Sequence, residues 1–166
     1  MSATAANTQK EIDRLVSAIT GCRICVEAPR GRPLPHEPRP VAWPSATARL
    51  AICGQAPGTR VHASGIPFND PSGDRLRDWM GVDRDTFYDR DQIAIIPMGF
   101  CFPGLAAKGG DLPPRRACAA TWPDRPFAAM PQLELALPIG RYAHAAALAR
   151  APRRPLTAPL AAAPAT

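Results

Sequence analysis

Residues 48–58, Ala-Arg-Leu-Ala-Ile-Cys-Gly-Gln-Ala-Pro-Gly, decide the fold of this chain. The run 48–53 is short and mostly apolar, which is typical of a buried strand. Gly54 ends the run, and the glycines and proline of residues 54–58 indicate a loop. We therefore predict a buried strand that leads directly into a loop of glycine and proline.

Two further apolar runs predict strands, and helices are expected between them. The runs are 93–97 and 133–139, and the second ends at Gly140. Apolar spacing and capping residues predict helices over residues 8–20, from Ser72 to Gly81, from Asp83 through Phe87, from Cys118 to Trp122 and around residues 142–148. The segments predicted as loops are 59–73, 103–116 and the proline-rich 29–45, which is expected at the surface.

This alternation of strands and helices predicts an α/β fold with a parallel sheet. Strands that are separated by helices pair in parallel through right-handed crossovers. Ligands of such sheets bind beyond the carboxyl ends of the strands. The loops 54–58 and 99–104 follow the first two strands, so we expect them to converge on one site.

The composition is that of one basic domain. The 166 residues carry 20 Lys+Arg against 14 Asp+Glu, a formal net charge of +6, and Lys10 and Lys108 are the only lysines. This balance suits a polyanionic partner such as nucleic acid, although a biased genome produces the same arginine content. The 21 prolines argue against a mostly helical protein, because proline in a helix interior costs about 3 kcal/mol.

The sequence carries no pattern for membrane insertion or export. No apolar run reaches the roughly 18 residues that a membrane-spanning helix needs. The amino-terminal stretch contains Glu11 and Asp13 and lacks the apolar core of a secretory signal. We expect a cytoplasmic protein with no membrane contact, and a monomer.

The composition changes near the carboxyl terminus. From Ala143 onward there is no acidic residue, and alanine, proline and arginine dominate. Such a segment cannot bury enough apolar surface to become ordered. We predict one domain over residues 1–150 and a disordered tail over 151–166.

Four of the five cysteines have the spacing of a metal site: Cys22, Cys25, Cys101 and Cys118. Two thiolates in a Cys-x2-Cys turn can bind one metal centre, and a distant pair completes four ligands. The pattern suits an iron–sulfur cluster or a structural zinc ion, and the alternative is a set of buried free cysteines. Cys53 lies inside the predicted strand and is assigned to the core. The odd count argues against a disulfide framework.

The loop 54–58 is a candidate binding site. Its glycines allow backbone N–H groups to approach a ligand, and the Gln55 amide offers both a donor and an acceptor. By itself the spacing is also that of an ordinary turn. A third interpretation is a phosphate-binding loop in a small nucleotide-binding α/β domain.

Three short segments together resemble the uracil-DNA glycosylase superfamily. They are Gly54-Gln55-Ala56-Pro57-Gly58, Ser64-Gly65-Ile66-Pro67-Phe68 and Asp70-Pro71-Ser72-Gly73-Asp74. The cysteine spacing is similar to that of the iron–sulfur-containing family 4 and family 5 branches. The resemblance covers about residues 10–142 and implies a three-layer α/β/α sandwich with a central four-stranded parallel sheet. It also implies DNA as the partner and a [4Fe-4S] cluster rather than zinc.

The resemblance implies a role for each matched residue. Phe68 would stack on the flipped base, and Asp70 would assist water attack or stabilise the sugar cation. Gln55 would help to place the water, and the residues that would line the uracil pocket are Gly54, Gln55, Ala56, Pro57 and Gly58. The residues that would hold the cluster are Cys22, Cys25, Cys101 and Cys118.

These residue types suit hydrolysis of a glycosidic bond in DNA. A base must leave the stack before an enzyme can reach it, so an aromatic platform and polar groups for the base edge are needed. Departure of the base leaves an oxocarbenium-like sugar, which a nearby carboxylate stabilises. Without the resemblance, the residues themselves favour Phe68 as a core residue and Asp70 as a helix cap.

Two departures from the family pattern bear on activity. Residues 95–100 contain no asparagine where the family reads uracil, and no segment like His-Pro-Ser follows Gly140. The sequence therefore predicts a truncated or degenerate member with weak or no glycosylase activity. The alternative is a catalytically inactive relic that binds DNA or an iron–sulfur cluster.

The remaining candidates are single histidines and arginines. His36 and His62 are expected in loops, and His144 on the surface of the last helix. The arginines that could meet phosphates, or form a solvated basic surface, are Arg60, Arg75, Arg77, Arg84 and Arg90.

Overall fold

The computed structural model describes residues 3–122 and 124–150, where strands and helices alternate. The strands are β1 (Leu50–Cys53), β2 (Ile93–Ile95) and β3 (Leu135–Pro138). The helices are α1 (Ala3–Thr20), α2 (Ile24–Glu27), α3 (Thr59–Ser64), α4 (Pro71–Met80), α5 (Arg84–Tyr88), α6 (Arg116–Thr121), α7 (Arg125–Ala128) and α8 (Arg141–Arg150). The three predicted strands are confirmed, each shorter than its apolar run.

The strands form one parallel sheet in the order β2-β1-β3. Leu50 of β1 pairs with Ile93 and Leu135, and Ile52 pairs with Ile95 and Leu137, so the numbering rises together and all three strands run in the same direction. The predicted α/β fold with a parallel sheet is confirmed, with three strands in the described part of the chain. Because the strands are parallel, their carboxyl ends and the loops after them lie along one edge.

Successive side chains of a strand point to opposite faces of the sheet, and an apolar core lies on each face. Ala51 of β1 packs into the first core, which contains the apolar stripe of α1, Ile12, Leu15 and Ile19. Ile52 packs into the second core, which contains residues of α4, α5 and β2, namely Leu76, Phe87, Ile93 and Ile95. Helices therefore cover both faces, which gives the three layers α/β/α.

Part of the proline-rich segment 29–45 lies against the sheet, so the prediction of a surface position is wrong there. Trp43 and Ile95 exchange backbone hydrogen bonds of 2.8 and 2.9 Å in an antiparallel bridge. Val41 and Pro44 are buried. The outer edge of β2 would otherwise present unpaired backbone groups, and the extended segment around Trp43 pairs with Ile95 there.

Residues 59–64 form α3, although the sequence predicts a loop over 59–73. The Arg39 guanidinium donates to the carbonyl oxygens of His62 and Ala63 at 2.8 and 2.6 Å. These carbonyls lie at the end of the helix, where no intrahelical donor is present. Because Arg39 belongs to a distant segment, the local pattern does not indicate this stabilisation.

Helix α4 begins and ends at the predicted signals. The Asp70 side chain caps its amino end, and Pro71 occupies a first-turn position that needs no N–H donor. Gly81 ends the helix in the left-handed conformation, with φ 66°. These signals are local in sequence, which is why the pattern predicts them correctly.

Among the described residues, no helix combines the length and apolar composition that crossing a bilayer requires. The tail 151–166, on which the predicted domain boundary depends, lies outside the described residues. The predicted boundary at residue 150 therefore stays a prediction.

Candidate active site

A cavity of about 220 Å³ opens at the carboxyl ends of the strands. The loop 54–58 after β1, Pro97 after β2, and Ile139 and Gly140 after β3 all line it. The residues that the resemblance assigns to substrate or catalysis all face this cavity: Gly54, Gln55, Ala56, Pro57, Gly58, Phe68 and Asp70. The structure thus brings together two segments that are separate in sequence.

The loops after β1 and β2 meet directly, as the strand order predicts. The backbone N–H of Met98 donates to the carbonyl oxygen of Gly54 at 2.9 Å. The N–H of Gly99 donates to the carbonyl oxygen of Gln55 at 3.0 Å. These bonds extend the pairing of the sheet into the loop 54–58, so its backbone is held in place on the β2 side.

The half-buried side chain of Gln55 points across the cavity towards the end of β3. Its Oε1 atom lies 3.7 Å from the position that a Cβ on Gly140 would take. The amide therefore lies between the ends of two neighbouring strands, where it can offer a donor and an acceptor to a ring in the cavity.

Phe68 has a left-handed backbone, with φ 54°, which non-glycine residues rarely adopt. The Arg77 guanidinium donates to its carbonyl oxygen at 3.4 Å, and the Tyr88 hydroxyl donates to the carbonyl oxygen of Pro67 at 3.0 Å. Gly73 lies so close that a Cβ there would be 1.8 Å from the Phe68 carbonyl oxygen. The surrounding structure thus imposes a conformation of the kind that clusters at functional sites.

The ring of Phe68 forms one wall of the cavity and also packs on the second core. It makes an edge-to-face contact with Phe87, with ring centroids 6.0 Å apart. On the loop side, a Cβ on Gly54 would lie 3.1 Å from the Phe68 Cζ atom. A ring held on both sides is a fixed platform on which a flat base can stack.

Asp70 lines the cavity and caps α4 at the same time. Its Oδ1 atom accepts hydrogen bonds from the backbone N–H of Ser72 and Gly73 at 2.9 and 3.1 Å, and from the Ser72 hydroxyl at 2.5 Å. These bonds fix the orientation of the carboxylate. The interpretation of Asp70 as a helix cap is confirmed. Because Asp70 also lines the cavity, its catalytic role stays a prediction.

The sequence pattern does not predict the position of Asp111, whose carboxylate lies beside the loop 54–58. Its Oδ2 atom lies 3.1 Å from the position that a Cβ on Gly58 would take. Burial, and then the nearby charge of Asp70, raise the pKa of Asp111. Gly109-Gly110 is a turn signal, and Leu105 and Asp111 form an antiparallel bridge on either side of it. The local sequence does not indicate that this turn packs against the loop 54–58.

The four predicted ligand cysteines come together beside the first core. Cys25 lies on α2 and Cys118 on α6, while Cys22 precedes α2. The Trp122 indole N–H donates to the Cys22 sulfur at 3.4 Å. The backbone N–H of Phe100 donates to the Cys118 sulfur at 3.3 Å.

Neighbouring polar groups act on the other two thiols. Burial raises the pKa of Cys25, and the charge of Arg115 followed by backbone hydrogen bonding from Cys118 opposes that rise. Backbone hydrogen bonding from Arg39 opposes the rise in the pKa of Cys101 in the same way. Groups that favour the thiolate form favour metal ligation, so these neighbours would suit a thiolate-bound group.

Burial, together with the neighbouring cysteines, raises the pKa of Cys101 and of Cys118 to about 12. A metal must therefore displace protons from these thiols. Within the described residues, no three or more His, Cys, Asp or Glu side chains are arranged to hold a single metal ion. Cys53 is buried in the first core, as predicted.

The expectation of a loop position is confirmed for His36 and wrong for His62, and the two ring centroids lie 4.3 Å apart. His62 belongs to α3, and the His36 ring stacks on Phe102. Burial, and then His36 and Arg39, lower the pKa of His62. His144 is exposed on α8, as predicted.

The prediction that Arg77 meets phosphates is wrong, because its side chain is buried. Its guanidinium donates to Asp74 at 2.5 Å and lies over the rings of Phe87 and Tyr88. It holds the Phe68 segment instead. The other candidate arginines, Arg60, Arg75, Arg84 and Arg90, are exposed.

An open parallel sheet whose carboxyl edge carries a cavity, a glycine-containing loop, a fixed ring and a carboxylate defines an α/β protein with its candidate binding site where such sheets bind ligands. The family model of the Uracil DNA glycosylase superfamily matches residues 42–162, most of the chain. The chain belongs to this superfamily. Its general function is that of a uracil-DNA glycosylase-like DNA-repair protein, and DNA is its partner.

The matched stretch includes the whole loop 54–58, Phe68 and Asp70, and also Cys101 and Cys118. Cys22 and Cys25 precede it. It also runs past residue 150 into the segment 151–162, which lies outside the described residues.

Proposed function

We propose that this protein hydrolyses the N-glycosidic bond of uracil in DNA, as an iron–sulfur member of the superfamily with low activity. The observation that carries the proposal is the convergence of the loop 54–58, Phe68 and Asp70 on one cavity at the edge of a parallel sheet. Membership of the superfamily supports the same reaction.

The cavity suits a single base that has left the DNA stack. The fixed ring of Phe68 supplies a stacking surface, since a flipped base is read by stacking and by hydrogen bonds to its edge. The Gln55 amide supplies a donor and an acceptor. Uracil offers acceptors and one donor along its edge, so the two patterns are complementary.

The carboxylate of Asp70 suits the reacting sugar. Cleavage of the bond between C1′ and the base leaves positive charge on the sugar, and a water oxygen then bonds to C1′. Because backbone N–H groups fix Oδ1 of Asp70, the carboxylate is pre-oriented and needs no rearrangement to stabilise that charge.

Low activity follows from the rest of the lining. Of the described residues that line the cavity, none is a histidine, lysine or arginine. The negative charge that develops on the departing base would meet only neutral donors, such as Gln55 and backbone N–H groups. Loss of one preorganised donor to a developing charge lowers rates about 100- to 1,000-fold.

We propose that Cys22, Cys25, Cys101 and Cys118 hold a [4Fe-4S] cluster. Their shared position beside the first core, and the N–H donors at the sulfur atoms of Cys22 and Cys118, support this. Zinc is the alternative, since four thiolates also suit a structural zinc ion. When bound, the cluster would cross-link α2, α6 and the segment after β2, so its contribution would be structural.

The test is uracil excision from a single-stranded oligonucleotide, with protein in excess and abasic sites revealed by alkali. We expect slow excision by the unmodified protein and a further loss of about 100-fold for Asp70→Asn. Asparagine caps helices well, so this variant keeps the fold. Asp83→Asn is the matched control, because Asp83 caps α5 by accepting from Thr86 N–H away from the cavity.

Three outcomes would contradict the proposal. Absence of excision by iron-loaded protein would contradict the proposed activity. Rapid excision with multiple turnovers would contradict the proposed low rate. Equal losses for Asp70→Asn and Asp83→Asn would contradict the catalytic role of Asp70.

A further inference from the structure

A second groove, of about 200 Å³, is lined mainly by arginine. Its residues are Arg30, Arg32, Leu112, Pro113, Pro114, Arg115 and Arg116. None of these lining residues is acidic. We call it the arginine groove.

In the described part of the chain, no ion pair joins an arginine of the groove to a carboxylate, and the Asp111 carboxylate at the start of the segment 111–116 lies against Gly58. Glu27 and Glu37 lie on neighbouring segments, but both accept from Arg23, at 3.0 and 2.8 Å. Among the described residues, Arg30 and Arg32 form no ion pair. Guanidinium groups that share a groove repel one another unless an anion lies between them, and phosphate accepts their paired N–H groups.

The arginine groove continues directly from the rim of the cavity. Pro114 lies over Gly99, where a Cβ would be 3.2 Å from the Pro114 Cβ atom and 3.6 Å from that of Ala56. Asp111, earlier in the same segment, lies against Gly58. The segment 111–116 thus runs from the loop 54–58 into the groove.

We propose that the arginine groove binds the phosphodiester backbone of the DNA strand whose base enters the cavity. The inference rests on the proposed function for the identity of that base. When a base enters the cavity, the phosphates on either side of its nucleotide must lie along the cavity rim. The arginine groove is the cationic surface that adjoins this rim. Arginine contacts to phosphate position a strand without reading its sequence.

The test compares two double variants of equal charge. Arg30→Ser with Arg32→Ser removes two positive charges from the groove. Arg14→Ser with Arg49→Ser removes two from elsewhere: Arg14 lies on α1, and Arg49 precedes β1, at the opposite edge of the sheet from the cavity. Arg115 is left unchanged because its charge opposes the rise in the pKa of Cys25, one of the proposed cluster ligands.

The measurement is the affinity for labelled single-stranded DNA, with and without one uracil, over a range of salt concentrations. Each lost phosphate contact reduces the slope of log K against log salt by about 0.7, which is about fivefold in affinity at about 0.1 M salt. We expect the groove variant to lose up to about 25-fold, and the control variant to change little. Arg30→Lys with Arg32→Lys should restore most of the slope.

Equal slopes for the two double variants, or no change in either, would overturn the inference. Thermal unfolding of both variants checks that they fold. The salt slope is measured on uracil-free DNA as well, so it does not depend on catalysis. A protein that excises no uracil but shows the slope difference would overturn the proposed function alone.

Discussion

The carbonyl oxygen of Phe68 lies against the α-carbon of Gly73, so close that a Cβ at residue 73 would be 1.8 Å away. Phe68 itself has φ 54°. The first turn of α4 therefore supports the backbone that aims the Phe68 ring at the cavity. The contact is possible because glycine carries no side chain.

Gly73→Ala should destabilise the protein strongly. The methyl group cannot fit without a backbone shift, and overpacking of this kind typically costs about 1–3 kcal/mol. Urea denaturation measures the effect. Gly21→Ala is the control, because a Cβ there meets its nearest atom at 3.5 Å, and it should stay within about 0.5 kcal/mol. Equal stability of the two variants would contradict this account.

Gly54→Ala should impair base binding more than folding. The new methyl would lie 3.1 Å from the Phe68 Cζ atom, so the ring must move by a few tenths of an ångström. We expect about a tenfold loss of excision, since small misplacements at a reacting centre are costly. In a Phe68→Leu background the same change should add little. Fully additive losses would show that the ring does not transmit the effect.

Arg77→Met should destabilise the protein, because it removes the buried group that donates to the Phe68 carbonyl oxygen and to Asp74. Hydrogen bonds of charged groups contribute about 1.5–3 kcal/mol. Arg75→Met, on the exposed side of the same helix, should cost less than about 0.5 kcal/mol. Chemical denaturation measures the free energy of unfolding of both variants. Similar losses for the two would contradict the stabilising role of the buried Arg77 side chain.

Asp111→Asn should stabilise the protein in a pH-dependent way. Asp111 is an exposed residue whose carboxylate is partly desolvated beside Gly58, and this desolvation, followed by the charge of Asp70, raises its pKa, so the expected gain is small. Folding therefore opposes ionisation, and stability is lost as the pH rises through the raised pKa. The variant should unfold at a higher temperature than the unmodified protein near neutral pH. That gain should vanish below the ordinary pKa of aspartate, about 3.9, and a gain independent of pH would exclude titration as the cause.

Cys25→Ala should lower the iron content of protein purified without oxygen. If the proposed cluster is present, the unmodified protein should be brown and carry about four iron atoms per chain. Cys53→Ala is the control, because Cys53 is buried in the core on β1. Iron retained by Cys25→Ala, or zinc in place of iron in the unmodified protein, would contradict the assignment.

The elements that the sequence predicted well depend on local signals. Apolar runs bounded by Gly54 and Gly140 predicted β1 and β3, and Asp70 and Gly81 predicted the ends of α4. The convergence of the loops after the strands followed from parallel pairing alone. The residues of the candidate site were inferred from a resemblance in three segments, and their roles stay predictions.

The sequence by itself determined the α/β class, the parallel sheet and the loop that forms the cavity, because apolar periodicity, caps and turns act over a few residues. Tertiary structure decided the rest. It made Arg77 a support for Phe68, brought Asp111 to Gly58, and joined Arg30 to the segment 111–116. Such contacts join segments far apart in sequence, so they exist only once the sheet has brought those segments together.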